Sequence, residues 1–387
     1  MALVPDVAKK VVDAGFEVLV EAGAGADAHI ADTAYEESGA RIVASPGELW
    51  SQGDVVAKVA APGHSEALGK DEVDALPQGA IVIAFLSPLT SPELVRHLAD
   101  ARITSFAMEA IPRTTRAQSM DALSSQAVVA GYRAALAAAE HLGKFFPMLI
   151  TAAGTAAPSR VLVLGAGVAG LQAIATAKRL GAVVEAYDVR PAVKEEVESL
   201  GARFVQIEVQ QEGDGTGAGE YAKELPEETQ RRQRELLAER VAAADCVITT
   251  AAVPGRPAPK LVTDEMVRAM RPGSVIVDIA AETGGNCELT EAGTVAVRHG
   301  VTIDGTLNLP SQMPFHASLL YANNVANLLL HMSSEGRVEL DFEDEIVSGC
   351  CITHDGRIVN ERVREALDGA AQNPQPADPL ADRPPVS

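Results

Sequence analysis

Two groups of residues in this sequence have the types and the spacing to do chemistry. The first is Gly165, Gly167 and Gly170, in G-x-G-x-x-G order, followed by Asp188, 18 residues beyond the last glycine. In such a run the first glycine permits a tight turn. The second lets backbone approach a pyrophosphate, and the third lets a helix pack closely on a strand. The helix that follows offers unpaired N–H groups and a positive dipole end to the phosphates. An aspartate at the position of Asp188 accepts the adenosine ribose hydroxyls and repels a 2′-phosphate, which favours NAD(H) over NADP(H). Arg190 would soften that preference. The competing account is a purely structural glycine turn.

The second group is Pro112–Tyr132, PRTTRAQSMDALSSQAVVAGY. It crowds Arg113, Arg116, Gln118, Asp121, Ser124, Ser125, Gln126 and Tyr132 into one span at an expected domain junction, where cofactors often lie. An arginine, an amide, a carboxylate and hydroxyls can fix a carboxamide and a ribose through hydrogen bonds. If Gln118 opens a helix, Asp121 and Ser125 share one face at i, i+4. A capped, solvated helix start is the plainer account of the same residues.

The elements needed to hold these groups are legible around them. Arg160–Asp188, RVLVLGAGVAGLQAIATAKRLGAVVEAYD, reads as strand, glycine turn, helix, strand, acidic residue. The apolar run Val161–Leu164 is typical of a strand buried on both faces. The first third of the chain alternates a helix at Pro5–Ala14 with strands at Phe16–Glu21, Arg41–Ala44, Asp54–Val59, Ala80–Phe85 and Ile103–Phe106, a doubly wound pattern. Gln118–Phe146, rich in alanine and free of proline, predicts one long helix into a second α/β unit over Arg160–Asp304. That unit has further strands at Cys246–Thr249, Ser274–Ile279 and Thr294–Val297. Within it Gln211–Gly219 is a glycine-rich loop, either a mobile lid or an insertion with no role, and Lys223–Ala244 is a charged helix. Ser318–His331 predicts a second long helix returning to the first unit, where Glu339–Asp355 adds a strand or hairpin. The expected fold is therefore α/β, two Rossmann-like doubly wound domains joined by two long helices. The domains are 1–123 plus 318–372, and 124–317, with a proline-rich disordered tail over 373–387.

Composition bounds the function. A chain of 387 residues exceeds the usual size of one core. A net charge of −21 argues against nucleic acid and anionic membrane surfaces as direct partners. The most apolar window, Phe145–Ala157, is too short to span a bilayer and is interrupted by Pro147 and Gly154, so no direct membrane insertion is expected. Cys246, Cys287, Cys350 and Cys351 include no C-x-x-C pair and read as reduced, buried thiols, which fits a cytoplasmic protein. The eight histidines show no metal-ligand spacing.

PRTTRAQSMDALSSQ, RVLVLGAGVAGLQAIATAKRLGA and PGSVIVDIAAETGGNCE, with TTAAVPGRPAPKLVT and YAKE, resemble the soluble NAD(H)-binding component of the proton-translocating nicotinamide nucleotide transhydrogenases, within the alanine dehydrogenase/transhydrogenase family. The likeness covers nearly the whole chain. It implies a Si-specific, proton-translocating enzyme that passes hydride from NADH to NADP+ on a partner and is active only with partner subunits. Those partners are an NADP(H)-binding beta subunit and a membrane-spanning subunit that couples transfer to proton movement. It also implies a homodimer, held in the cytoplasm against the inner (plasma) membrane through its partners. Residue by residue, Arg113, Gln118, Asp121 and Ser124 would hold the nicotinamide and its ribose, with Thr114 and Thr115 in the same cofactor-binding loop and Tyr132 supporting it. Gly165, Ala166, Gly167, Val168 and Gly170 would face the pyrophosphate. Asp188, Val189 and Arg190 would hold the adenosine ribose. Tyr221 would sit on the lid, with Gln233 and Ala252 near the adenosine end. Relative to the family, the chain starts at MALVP without the usual first strand, so either its start codon is misassigned or its first sheet is shortened.

Two rival readings follow. The related alanine dehydrogenases need a lysine and an arginine for a substrate carboxylate and a histidine–aspartate pair for proton transfer. Lys58 matches the lysine, but the histidine position is Phe85 and the aspartate position is Glu282, and phenylalanine moves no proton. The other rival is an NAD(H)-binding or regulatory module without turnover of its own.

Overall fold

The computed structural model describes residues 1–206, 227–252 and 255–372, with the side chains of 227–230, 233 and 368–372 excepted. Tyr221, the loop 211–219 and the tail 373–387 lie outside the described residues. Gln233 is described only as a position in the helix Glu227–Ala243. The chain divides into two compact units: Met1–Leu123 with the described residues from Ser318 on, and Ser124–Ala317.

The second unit is built on a seven-stranded sheet. Its strands run in the order Arg203–Phe204, Val183–Tyr187, Arg160–Leu164, Cys246–Thr249, Val275–Asp278, Val301–Asp304 and Val295–Arg298. Every pairing is parallel except the last, where the edge strand Val295–Arg298 runs antiparallel. Both faces are apolar, and the period of two divides each strand between two cores. Val161, Val163, Val184, Ala186, Cys246 and Ile248 pack on one side with Ala173, Ile174 and Ala177 of helix Val168–Arg179 and with Ala134 and Ala138. Leu162, Leu164, Val247, Ile276 and Ile303 pack on the other with Leu237, Val241, Met266 and Val267. Arg160–Leu164 has the strand that follows it on one side and a later one on the other. The strand order therefore reverses there, at the point where open α/β sheets leave a crevice beyond their carboxyl ends.

In the first unit, Val55–Ala57, Ile81–Ala84 and Thr104–Ala107 pair in parallel. Cys351–His354 extends this sheet antiparallel to Thr104–Ala107 and forms a hairpin with Arg357–Ile358. Leu19–Glu21 and Arg41–Val43 make a separate parallel pair, a departure from one continuous set of five strands. Helix Pro46–Gln52 packs against both of these three-residue strands. All four cysteines are free and buried. Burial pushes the thiols up, to about 12 at Cys246 and Cys351, so they stay protonated near neutrality.

The long alanine-rich helix is shorter than its composition implies. It spans Ala122–His141, and Thr115–Met120 forms a tighter 3-10 turn ahead of it. Asp121 between them has extended backbone (ψ 90°), so Asp121 and Ser125 do not share a helical face. The turn is favoured because Ala117 and Met120, three residues apart, eclipse in a 3-10 geometry and are both buried in the core of the first unit. At the other end Gly143 and Pro147 follow the helix, and 149–156 is a hairpin of Leu149–Thr151 and Gly154–Ala156. The strands Arg203–Phe204 and Val301–Asp304 were not legible in the sequence. The second long helix begins at Pro314, four residues earlier than its apolar run implies.

The alanine run of Ala122–His141 has a steric cause. A Cβ placed on Gly131 would collide with the carbonyl of Ala169, so this helix and Val168–Arg179 touch backbone to backbone there. Ala134, Ala135, Ala137 and Ala138 continue the close contact. Gly131→Ala is expected to destabilise the second unit by about 1–3 kcal/mol. Urea unfolding followed by circular dichroism checks this, and an unchanged midpoint would show that the helices do not need that approach.

Candidate cofactor site

The glycine turn sits where Arg160–Leu164 ends. Gly165 has φ +102°, and its N–H donates to the Tyr187 carbonyl at 2.8 Å. A left-handed backbone of this kind strains any residue with a Cβ. A Cβ on Gly170 would collide with the Gly165 carbonyl, so the helix start rests directly on the turn. Gly167 is different. Its φ is −76°, and no described atom lies within 4 Å of where its Cβ would be. Neither strain nor packing requires glycine there, and the open space over it is what a closely approaching ligand would fill. Among the described residues no side chain caps the helix Val168–Arg179, which leaves its first N–H groups available for an anion.

Asp188 stands at the end of the neighbouring strand, nearly buried, and is held from three directions. Its Oδ2 accepts from the Ala166 N–H at 2.7 Å. Its Oδ1 accepts from the Arg190 N–H at 2.8 Å, and the Arg190 guanidinium reaches both oxygens at 3.0 and 3.1 Å. Burial pushes this carboxyl up, but those donors outweigh it and hold it below the ordinary aspartate value. Arg190 therefore partly neutralises the charge expected to discriminate against a 2′-phosphate. Val189 between them is half exposed.

Opposite the turn, Thr250 N–H donates to the Leu164 carbonyl at 2.8 Å and its hydroxyl to the Gly165 carbonyl at 3.1 Å. The next residues are fixed by the buried Asn286. Its Oδ1 accepts from Ala251 N–H at 3.0 Å, and its Nδ2 donates to the carbonyls of Ala251 and Pro259 at 2.7 and 2.8 Å. Ala252 follows directly. Behind Asn286, the fully buried Asp278 accepts from the hydroxyls of Thr249 and Thr290 and from the N–H groups of Ala280 and Cys287. Asn286 and Asp278 were not singled out from the sequence. Their signal is Gly284–Gly285 beside an asparagine, both glycines at positive φ, with Gly285 backed by the Asp278 carboxylate.

The remaining expected residues divide between the two units. In the first, Arg113, Thr115 and Gln118 are exposed on and around the 3-10 turn, Asp121 closes it through its N–H to the Gln118 carbonyl (3.3 Å), and the Thr114 hydroxyl is buried with no partner among the described residues. In the second, Ser124 and Tyr132 lie on the helix Ala122–His141, with Tyr132 exposed.

The residues compared with an alanine dehydrogenase site are committed elsewhere. The Lys58 ammonium is ion-paired with Glu72 and lies 5.3 Å from the Trp50 ring centre. Phe85 stacks on Tyr321 at 5.2 Å. Glu282 accepts from the Asn308 N–H at 2.7 Å.

The family profile described as "Alanine dehydrogenase/PNT, N-terminal domain" matches residues 1–130, and "Alanine dehydrogenase/PNT, C-terminal domain" matches 134–361. The chain belongs to this family. Within it, the chain is 50% identical to an NAD(P) transhydrogenase alpha-subunit chain from Rhodospirillum rubrum, over 93% of this chain and 94% of that one. Its fold is similar to the crystal structure of transhydrogenase from Sinorhizobium meliloti, with a TM-score of 0.83, 47% identity and coverage of 92% and 95%. An L-alanine dehydrogenase structure is more distant, with a TM-score of 0.76 and 26% identity, covering 95% of each chain. The transhydrogenase branch is thus the nearer of the two.

The lowered Asp188 value has a stability consequence. A carboxyl whose folded value is depressed adds stability above its unfolded value and loses it as the pH falls through the folded one. Asp188→Asn should therefore be less stable than the unaltered chain at neutral pH. The gap in urea midpoint should close as the pH drops below about 4. A gap that stays constant across that range would mean that Asp188 is not held ionised by Arg190 and Ala166.

Proposed function

We propose that this chain is the NAD(H)-binding subunit of a proton-translocating transhydrogenase and passes hydride from NADH directly to NADP+ held by a partner subunit. The observation that carries it is the turn at Gly165–Gly170. There the open space over Gly167, the uncapped helix start and the Ala166–Asp188–Arg190 cluster form a bed for a dinucleotide beyond the carboxyl ends of a parallel sheet. Gly165, Ala166, Gly167, Val168 and Gly170 line the pyrophosphate. Asp188, Val189 and Arg190 hold the adenosine ribose, and Ala252, Gln233 and Tyr221 belong to the adenosine end. Arg113, Thr114, Thr115, Gln118, Asp121 and Ser124 hold the nicotinamide and its ribose, with Tyr132 as their support.

The nicotinamide supplies the hydride, and no ionisable group of the chain needs to exchange a proton in the step. The work of Gln118 and Asp121 is orientation: two rings must be brought to near-attack separation, about 3–3.5 Å, with water excluded. An alanine dehydrogenase would need a proton carrier where Phe85 stacks on Tyr321, and the pairing of Lys58 with Glu72 occupies the cation that would take a substrate carboxylate.

Among the described residues no helix is long and apolar enough to cross a membrane. The membrane association and the proton coupling are accordingly assigned to partners: an NADP(H)-binding beta subunit and a membrane-spanning subunit, with this chain peripheral on the cytoplasmic side. Homodimerisation is supported by the apolar side chains exposed on and before the hairpin, Phe145, Met148, Leu149 and Ile150, the last 77% exposed.

Mixing the chain with the NADP-binding subunit of the same organism and following single-turnover oxidation of NADH tests the proposal. Gln118→Asn and Asp121→Asn are each expected to slow transfer by about 100-fold while NADH affinity changes far less, because misplacement by about 1 Å has that cost. Rate and affinity falling together would remove the orienting role. Tight NADH binding with no transfer by the unaltered chain would leave a binding module.

A further inference from the structure

The 3-10 turn Thr115–Met120 has an exposed outer side and an unusual attachment. The carbonyl of Ser119 accepts two hydrogen bonds, from the side-chain amides of Asn324 and Asn327, both at 2.9 Å. A carbonyl oxygen has two lone pairs, so this acceptor is saturated by the two donors. Asn324 and Asn327 are three residues apart on the helix Pro314–His331, where positions at that spacing are neighbours on one face. Two side chains of a rigid element thus converge on one backbone atom of a short turn.

A second tie holds the same turn. The Arg116 guanidinium donates to the Asp344 carboxylate at 2.7 Å. The other oxygen of Asp344 caps the helix Glu345–Cys350 through the Ile346 N–H at 2.7 Å. Arg116 is exposed, so this tie is worth little by itself in stability. Its geometric effect is to fix the start of the turn, as the amides fix its end. Ala117 and Met120 anchor the inner side of the turn in the core.

We infer that Asn324 and Asn327 are positioning residues for hydride transfer, acting through the Ser119 carbonyl on Gln118 and Asp121. The inference rests on the proposed role of Gln118 and Asp121 at the nicotinamide. Ser119 lies between them in the chain, so the two amides on its carbonyl hold the middle of the segment that carries both side chains. Asn324 is buried, so its replacement would disturb packing. Asn327 is half-buried and offers the cleaner handle.

The experiment uses the full chain with its NADP-binding partner, in unaltered form and as Asn327→Asp, Asn327→Ala and Asn327→Gln. Asn327→Asp is isosteric and replaces the donating NH2 with an oxygen that cannot donate when ionised. One hydrogen bond corresponds to about a 3- to 10-fold change in rate. Expected is a loss of that size in single-turnover hydride transfer for Asn327→Asp and Asn327→Ala, with NADH affinity changed less than about 2-fold. Partial recovery is expected in Asn327→Gln, which keeps the donor. Amide hydrogen exchange at 118–121 should quicken in the first two variants while the rest of the chain is unchanged. If the unaltered chain transfers hydride and Asn327→Asp does so equally fast, the positioning role is overturned while the proposed function stands. If rate, affinity and melting temperature fall together, the amides are structural only and the inference is overturned. If the unaltered chain transfers no hydride to its partner, the functional reading fails and the positioning role goes with it.

Discussion

The structure of the second unit depends on one close contact, the start of helix Val168–Arg179 lying directly on the turn that ends strand Arg160–Leu164. Gly170 leaves no room for a Cβ against the Gly165 carbonyl, and Gly165 itself needs a left-handed backbone. With the helix seated that low, the Ala166 N–H is turned to the Asp188 carboxylate, and the space over Gly167 stays open. The same low seating lets the helix Ala122–His141 approach at Gly131, which is why that segment is built from alanine. Each of these features would be lost if the helix stood off the turn by the width of one methyl group.

The polar groups around the turn repeat a single device. A buried or nearly buried side chain accepts or donates several hydrogen bonds from the backbone of a loop, and so gives an irregular segment one conformation. Asp278 holds 280–290, Asn286 holds 251 and 259, and Asp188 holds 166 and 190. In the first unit the arrangement is inverted: two amides, of Asn324 and Asn327, converge on the one carbonyl of Ser119. The proposed hydride transfer would have this requirement throughout, since placing two rings demands closely confined loops.

The glycine fingerprint, its flanking strands and the terminal Asp188 were legible because their spacing is set by local geometry. A strand buried on both faces reads as an apolar run, and a turn at positive φ demands glycine. What the sequence hid follows from non-local causes. Composition extends the long helix back to Gln118 because nothing in the segment TRAQSM forbids it. The turn there is selected by the burial of Ala117 and Met120 in a core assembled from distant segments. Arg203–Phe204 is too short for a period-two signal, and Val301–Asp304 begins only three residues after its antiparallel neighbour ends, so Thr294–Val297 alone reads as a strand. The separate pairing of Leu19–Glu21 with Arg41–Val43 depends on partners that three-residue strands do not specify. Asn286 and Asp278 were passed over because a buried polar residue is recognised by its partners, and these lie up to 35 positions away in sequence.

The central claim is that hydride moves directly between two nicotinamides oriented by this chain and its partner, with no proton exchanged through a protein group. Its most direct measurement uses NADH deuterated at the transferable C4 position, in light water, with the NADP-binding subunit present. The product NADPH is analysed by mass spectrometry. Direct transfer predicts that the deuterium arrives in NADPH undiluted. Deuterium lost to solvent, or oxidation of NADH without labelled NADPH, would contradict it.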